Sequence, residues 1–516
     1  MTEPLLRIRD LRVRLPDGRA LFDGLDLTLE QGEVVALLGG SGAGKSTLAR
    51  VLFERDDLID AGFEVAPPDA IELGKGASLG LVPQRGAAFD HLDVAGNIAL
   101  ALRRRVEGSG DSERAGPDSV ASWLAAVDLP AEMGASGTEV SRLSGGQAQR
   151  LAVARTLASG RRVLFLDEPS VGLDPLRVKG LAELVRQTAS QRGAAVLVVT
   201  HDLSFAQQVA DRLLFLDPAR GKLVPLGAEE PQVLEADVLD KLEAGEAATR
   251  AADDERRAPP RRLASLGRRA LGSLLMPAAA LLALPRALRH AGDTLRVLLR
   301  VLRASLLRPL PFYLIVSVLL GYTVLYVISR ALPVGLRAAK AVELVGGSYI
   351  LALAPPVCAF LFVATSGSAT SAWLGSMGLT RQIAALEALG ISRRDYLWVP
   401  CYFGLLVAFV LVAATFAGGM ALGGYWHCVQ SGVADPWPLL LGDLLDPEPN
   451  RAVLRSRALW LCGIYACGVA AEVVFRSTLR KDSADDVTRA MTGSVVIATL
   501  WVVALELVTA MWVFRR

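Results

Sequence analysis

Gly39-Gly40-Ser41-Gly42-Ala43-Gly44-Lys45-Ser46-Thr47 fits G-x-x-x-x-G-K-[ST], the pattern of a phosphate-binding loop. The apolar run Val34 to Leu38 predicts a buried strand feeding it, and Leu48 to Phe53 predicts the first turns of a helix leaving it. Strand, glycine loop and helix start together point backbone N–H groups and the positive end of the helix at phosphate oxygens. In that frame Lys45 reaches the β- and γ-phosphates and Ser46 holds Mg²⁺. A nucleoside triphosphate is the expected ligand.

Further strand ends carry chemistry in order along the chain. Leu79 to Pro83 reads as a strand followed by Gln84. Leu143-Ser144-Gly145-Gly146-Gln147 opens a helical pattern running through Leu157. Val163 to Leu166 is an apolar strand ending in Asp167-Glu168, followed by Gly172-Leu173-Asp174. Ala195 to Thr200 is another, ending at His201. A carboxylate at a buried strand end beside the loop suits Mg²⁺ binding through its water shell, the role expected of Asp167. Its neighbour Glu168 is placed to polarise an attacking water as general base, and His201 to touch the γ-phosphate.

These motifs resemble the ATPase domain of ABC transporters over roughly residues 5–230. The resemblance makes Gly39, Gly40, Ser41, Gly42, Ala43, Gly44, Lys45, Ser46 and Thr47 the Walker A loop and Val163 to Asp167 Walker B. It makes Gln84 the Q-loop residue, sharing Mg²⁺ with Ser46 and Asp167, His201 the switch histidine and Asp174 the D-loop aspartate. Ser144, Gly145, Gly146 and Gln147 then belong to the signature that caps the γ-phosphate of ATP bound to the opposite subunit. Leu15 stands where the family usually stacks an aromatic on adenine.

The chain has 516 residues, 52% of them hydrophobic, and a net charge of +2. That balance gives no reason to expect a nucleic-acid partner. The mean hydropathy of +0.38 is high, and the excess lies in the second half. All five cysteines lie there, inside or beside apolar runs and without zinc spacing, so they read as small buried hydrophobes. Met1 to Asp10 lacks the apolar core of a signal peptide, so the first half is expected in the cytoplasm.

Glu246 to Arg262, with Pro259-Pro260, has linker composition. Leu271 to Leu284 is apolar but short, and Pro277 and Pro285 argue against a span. Next, Leu295, Leu298, Leu299, Leu302 and Leu306 fall on one helical stripe flanked by Arg289, Arg296, Arg300 and Arg303. This predicts a basic amphipathic helix in the headgroup layer. Five spans follow, at 310–329, 342–364, 397–424, 458–475 and 491–514, the second broken by Pro355-Pro356. Between the second and third, Gly367, Ser371 and Gly375 recur every four residues, as do Ser368, Ala372 and Ser376, a spacing that lets helices approach closely. A short helix at 379–390 follows, on the inner face. Glu506 lies within the last span with no basic residue near it in sequence, and is expected to face a cavity. Glu472 and Arg476 are expected to form a local ion pair.

The runs Gly367 to Met377, Gln382-Ile383, Ala385 to Gly390 and Tyr396-Leu397 to Pro400 are similar to MlaE-type permeases, which move phospholipids with MCE-domain partners. The chain departs from that family at Trp373, Arg381 and Ala384, where acidic residues are usual, and at Ala352 and Leu353, where an Arg-Glu pair is usual. Three regions are therefore expected: an α/β P-loop ATPase domain at 1–243, a linker and interfacial helix at 244–309, and an all-α membrane domain at 310–516. The resemblances imply an ATP- and Mg²⁺-dependent homodimer in the bacterial inner membrane, moving lipid with an MCE-domain periplasmic partner. An exporter of another hydrophobic small molecule or a glycolipid, acting without that partner, is the alternative. A membrane-anchored ATPase without transport is a third reading.

Overall fold

A computed structural model describes residues 3–40, 42–84, 88–105, 119–135, 137–226, 262–331, 345–445, 449–479, 481 and 483–513. Ser41 and most of the expected linker from Glu246 onward lie outside the described residues. By packing, the chain forms two units. The first is Met1–Ser265 together with Thr380–Ser392, and the second is Leu266–Leu379 together with Arg393–Arg516.

The first unit is α/β. Its antiparallel sheet sets β1 (Leu6–Arg14) between β2 (Ala20–Leu29) and the short β4 (Glu64–Ala66) and β5 (Ile71–Leu73). Its larger sheet has the order β10 (Lys222–Pro225), β9 (Arg212–Asp217), β3 (Val34–Leu38), β8 (Ala195–Val199), β7 (Val163–Asp167), β6 (Leu79–Val82). β9 through β6 run parallel, and β10 joins antiparallel. Strands β3, β7 and β8 are buried at every residue, which is why they read in sequence as unbroken apolar runs. The ends of four of these strands, Leu38, Val82, Asp167 and Val199, thereby come to one edge of a single sheet, where open α/β folds bind ligands.

Helices of this unit are α1 (Lys45–Phe53), α2 (Arg55–Asp60), α3 (Val94–Arg103), α4 (Val120–Ala126), α5 (Gly145–Ala158), α6 (Pro175–Arg192) and α7 (Leu203–Val209). The expected short helix also belongs here, as Gln382–Ala388. Its Ala384 and Ala388 join a core that includes Leu48, Leu81 and Phe165.

The second unit is helical, with α8 (Arg262–Leu288), α9 (Ala291–Ala331) and α10 (Ser348–Leu379) before the Gln382–Ala388 helix, α11. After it come α12 (Arg394–Gln430), α13 (Pro436–Leu445), α14 (Pro449–Thr478) and α15 (Ala484–Val513). Among the described residues six helices are long and apolar enough to cross a membrane, one more than the five expected. The sixth is Leu271–Leu288 within α8, whose Pro277 and Pro285 both sit inside a continuous helix rather than ending it. The expected interfacial helix and first span are one helix, α9, with a π-helical turn at Arg303–Leu307. Likewise the second span and the small-residue stretch form α10, with a π turn at Val363–Gly367. One extra residue per turn lets a helix absorb an irregularity without stopping.

Around the leucine stripe of α9, Val297 and Val301 are buried, while Leu295 and Leu299 of the stripe itself face outward. Ser371 accepts from Ser477 of α14 at 2.7 Å, and a Cβ on Gly375 would lie 2.9 Å from Val487 of α15. The small-residue stripe therefore brings α14 and α15 close. Glu472 pairs with Arg476. Glu506 does not stand alone: Arg457 of α14 donates to it at 2.5 Å and the Tyr465 hydroxyl at 2.7 Å. The partner is 49 residues away in sequence, which is why proximity along the chain did not reveal it. All five cysteines are free, three of them buried.

Candidate functional site

The loop between β3 and α1 turns through Gly42 and Gly44, whose φ values of 82° and 104° belong to the left-handed region that side chains disfavour. Gly44 is also the N-cap of α1. A Cβ there would meet the Phe22 ring at 2.9 Å, so space and backbone both require glycine. Lys45 folds over its own loop, donating to the Gly40 carbonyl at 3.0 Å and to that of Gly39. Burial lowers its pKa, opposed by the nearby Glu168 and Asp167 carboxylates. Ser46 is exposed in the first turn of α1, and Gln84 is exposed just beyond β6.

Asp167 and Glu168 close β7 and are both buried, at 3% and 6% exposure. Glu168 adopts a φ of 50°, unusual for a residue with a side chain. The conformation is fixed by neighbours: its N–H donates to the Val199 carbonyl at 2.8 Å. One carboxylate oxygen lies 2.8 Å from His201 Nδ1, and the other accepts from the Thr200 hydroxyl at 3.3 Å. The expected base and the expected switch histidine are therefore hydrogen-bonded to each other. Thr200 was not singled out by sequence, although its place between β8 and His201 was available as a signal.

Burial pushes the Asp167 carboxyl up from the ordinary aspartate value. Arg381 pulls it back, Glu168 adds to the rise, and Lys45 opposes it. Arg381 Nη1 lies 3.5 Å from Asp167 Oδ2.

Ser144 caps α5: its hydroxyl accepts from the Gln147 N–H at 3.3 Å while the Gln147 side chain accepts from the Ser144 N–H at 2.9 Å. This reciprocal box consumes the cap's own groups and leaves Ser144 and Gly145 exposed at the helix start. A Cβ on Gly145 would meet nothing within 4 Å, so folding does not demand that glycine. Asp174 caps α6, accepting from the Arg177 N–H at 3.1 Å. The signature helix is tied to the Gln84 strand by Gln149, which donates to the Pro83 carbonyl at 3.3 Å, and by Thr156, which donates to the Leu81 carbonyl at 3.1 Å. Fully buried on the same helix, Arg155 stacks 3.8 Å over the Phe89 ring, and burial lowers its pKa to about 9. No local sequence pattern marks either tie or the stack, and the partners in the ties lie 66 and 75 residues apart.

The oxygen donors fit Mg²⁺, which keeps several waters and is held by one or two carboxylates plus substrate phosphates. Asp167 supplies a buried carboxylate and Ser46 an exposed hydroxyl. No cluster of three His, Cys, Asp or Glu among the described residues could hold a metal by itself. An ion delivered with nucleotide suits this donor set.

Residues 22–171 match the ABC transporter family, and residues 298–512 match Permease MlaE. The aliphatic sulfonates import ATP-binding protein SsuB 2 of Mesorhizobium japonicum is 36% identical over 217 residues, 42% of this chain and 78% of that protein. The L-cystine transport system ATP-binding protein TcyN of Escherichia coli is 36% identical over 225 residues, 41% of this chain and 85% of that protein. A solved ATP-binding subunit of an ABC transporter superposes with a TM-score of 0.37 at 21% identity, covering 46% of this chain and 99% of that one. The chain belongs to the ABC transporter family: an ATP-hydrolysing domain and an MlaE permease domain joined in one multi-pass membrane protein.

Proposed function

We propose that this protein is a half-transporter that works as a homodimer in the bacterial inner membrane, spending ATP to move a phospholipid. The observation that carries the reading is the MlaE permease match over 298–512 in the same chain as an ABC ATPase domain. The relatives named for sulfonate and cystine transport match only the ATPase half, so they say nothing of cargo. An MCE-domain protein on the periplasmic side is the expected partner, and the ATPase domain faces the cytoplasm.

In this reading the Walker A backbone and Lys45 hold the triphosphate, and Ser46, Gln84 and Asp167 hold Mg²⁺. The ion, when bound, neutralises charge on the β- and γ-phosphates. Glu168 takes a proton from the attacking water, and its 2.8 Å bond to His201 fixes both side chains. One Walker A loop and one signature per chain make two complete sites only between two chains, with Ser144 of each capping the nucleotide of the other. Thr380–Ser392 belongs to the ATPase unit but is joined at Leu379 and Arg393 to the membrane unit, which supports it as the coupling segment.

Removing a general base slows a reaction by about 10²–10⁴-fold, so Glu168→Gln protein should retain ATP while barely hydrolysing it. Lipid mass spectrometry of that variant with ATP, against the same protein without nucleotide, separates cargo from annular lipid. A phospholipid enriched in one state and depleted in the other is expected. A glycolipid or other small hydrophobe changing instead would favour the exporter reading. No molecule changing between states would overturn the assignment of a lipid cargo.

A further inference from the structure

The contact between Arg381 and Asp167 spans 214 residues and joins the segment between two membrane helices to the carboxylate at the end of β7. Three features mark it as more than a surface ion pair. Asp167 is 5% exposed at its side chain and Arg381 is 25% exposed, so water screens the pair poorly. Arg381 has a φ of 54°, a left-handed conformation that residues other than glycine adopt only at a cost. Beside it Gln382 is 4% exposed, and its Oε1 accepts no hydrogen bond from the described residues, which carries its own desolvation cost. The start of α11 is thus held in a costly arrangement while its Ile383, Ala384 and Leu386 are buried.

We propose that Arg381 is a positioning residue for the Asp167 carboxylate, and that its guanidinium and a divalent cation compete for that one anion. The inference rests on the reading of Asp167 as a Mg²⁺ carboxylate. Two cations cannot both be neutralised by a single carboxylate, so Mg²⁺ arriving with ATP weakens the hold on Arg381. By linkage, whatever draws Thr380–Ser392 away strengthens the metal site by the same factor. Nucleotide loading and the position of the coupling segment then become one equilibrium. The sign is definite: the arginine opposes metal binding.

The test is ATP binding to the full-length, detergent-purified protein, titrated with Mg²⁺ and repeated in chelator, for wild type and Arg381→Gln. Glutamine keeps much of the length and loses the charge. Arg381→Gln is expected to lower the half-saturating Mg²⁺ concentration about fivefold or more, the lower end of ordinary coupling between sites. ATP binding in chelator should be unchanged, which doubles as the check that the variant folds. A wild-type Mg²⁺ dependence that Arg381→Gln does not shift would overturn the inference and leave the metal assignment standing. Weakening that is equal with and without Mg²⁺ would also overturn it, by showing a packing role only. If wild-type ATP binding shows no Mg²⁺ dependence, the metal reading of Asp167 itself fails, and the inference with it.

Discussion

Asp167 lies at the end of a strand whose five residues are all buried, so its negative charge is expensive to keep. Because burial raises its pKa, the folded protein binds more protons than the unfolded chain between the ordinary aspartate value and the raised one. Stability from this group therefore falls as pH rises through that window, and at neutral pH the ionised carboxylate is a net cost. Asp167→Asn is expected to raise the unfolding midpoint of the ATPase unit at neutral pH by about 2 °C, the shift that roughly 0.5–1 kcal/mol produces in a domain of this size. The gain should shrink to nothing as pH falls through the raised pKa. A loss of stability at neutral pH, read by differential scanning fluorimetry, would mean that Arg381 and Lys45 outweigh burial. A net cost to folding at this position fits the metal-binding role proposed for Asp167. Its type and place were legible in sequence because strand, carboxylate and flanking Glu168 are contiguous. The Arg381 contact was not, since no local pattern reaches across 214 residues. All that sequence offered was that Arg381 departs from the acidic residue usual in related permeases.

Helix α9 and helix α12 meet at glycines. A Cβ on Gly423 would stand 1.9 Å from the Val318 carbonyl oxygen, and one on Gly321 would stand 2.1 Å from that of Met420. Backbone against backbone leaves no flexible side chain to give way, so even a methyl group must force the helices apart. Gly423→Ala is expected to destabilise the membrane unit by about 1–3 kcal/mol, seen as a lower melting temperature in detergent. Gly418→Ala on the same helix meets nothing within 4 Å and should be neutral or slightly stabilising, since alanine is the better helix former. Equal effects from the two would show that helix propensity rather than close approach decides. The small residues of α10 stand out in sequence as two parallel rows, and one row, Gly367, Ser371 and Gly375, packs on α14 and α15. It passed over Gly419 and Gly423, four apart within a span already accepted on hydropathy. Hydropathy also divided α9 and α10, since apolar windows register length and charge but not a π turn that lets one helix continue. What was legible was each element's character; what was hidden was where one ended and which faces met.

For the whole chain, connectivity decides how many of the six apolar helices cross the membrane. Thr380–Ser392 packs in the same unit as the phosphate-binding loop, so it must lie on the same side of the membrane. Between the ATPase fold and that segment stand α8, α9 and α10, and a return to the starting side needs an even number of crossings. At 41 and 32 residues, α9 and α10 are ample for the roughly 20 residues a crossing needs. The apolar window of α8 is 18 residues long and has the lowest hydropathy of the six, 1.6. Arginines stand at both of its ends, Arg268 and Arg269 before it, Arg286 in its last turn and Arg289 after it. Its exposed Leu271, Leu274, Leu275, Leu281, Leu282 and Leu288 then suit a helix lying in the headgroup layer. With the ATPase domain in the cytoplasm, as proposed, the chain is expected to cross five times, with the α12–α13 turn outside and the α14–α15 turn inside. Cysteine labelling checks it in intact cells with a membrane-impermeant maleimide, against the wild-type background. Ser431→Cys, exposed just after α12, is expected to label, and Ala484→Cys, exposed at the start of α15, to label only after lysis. The opposite pattern would make α8 a true span. It would also put Thr380–Ser392 across the membrane from the ATPase domain, which the packing of Ala384 and Ala388 into that domain's core forbids.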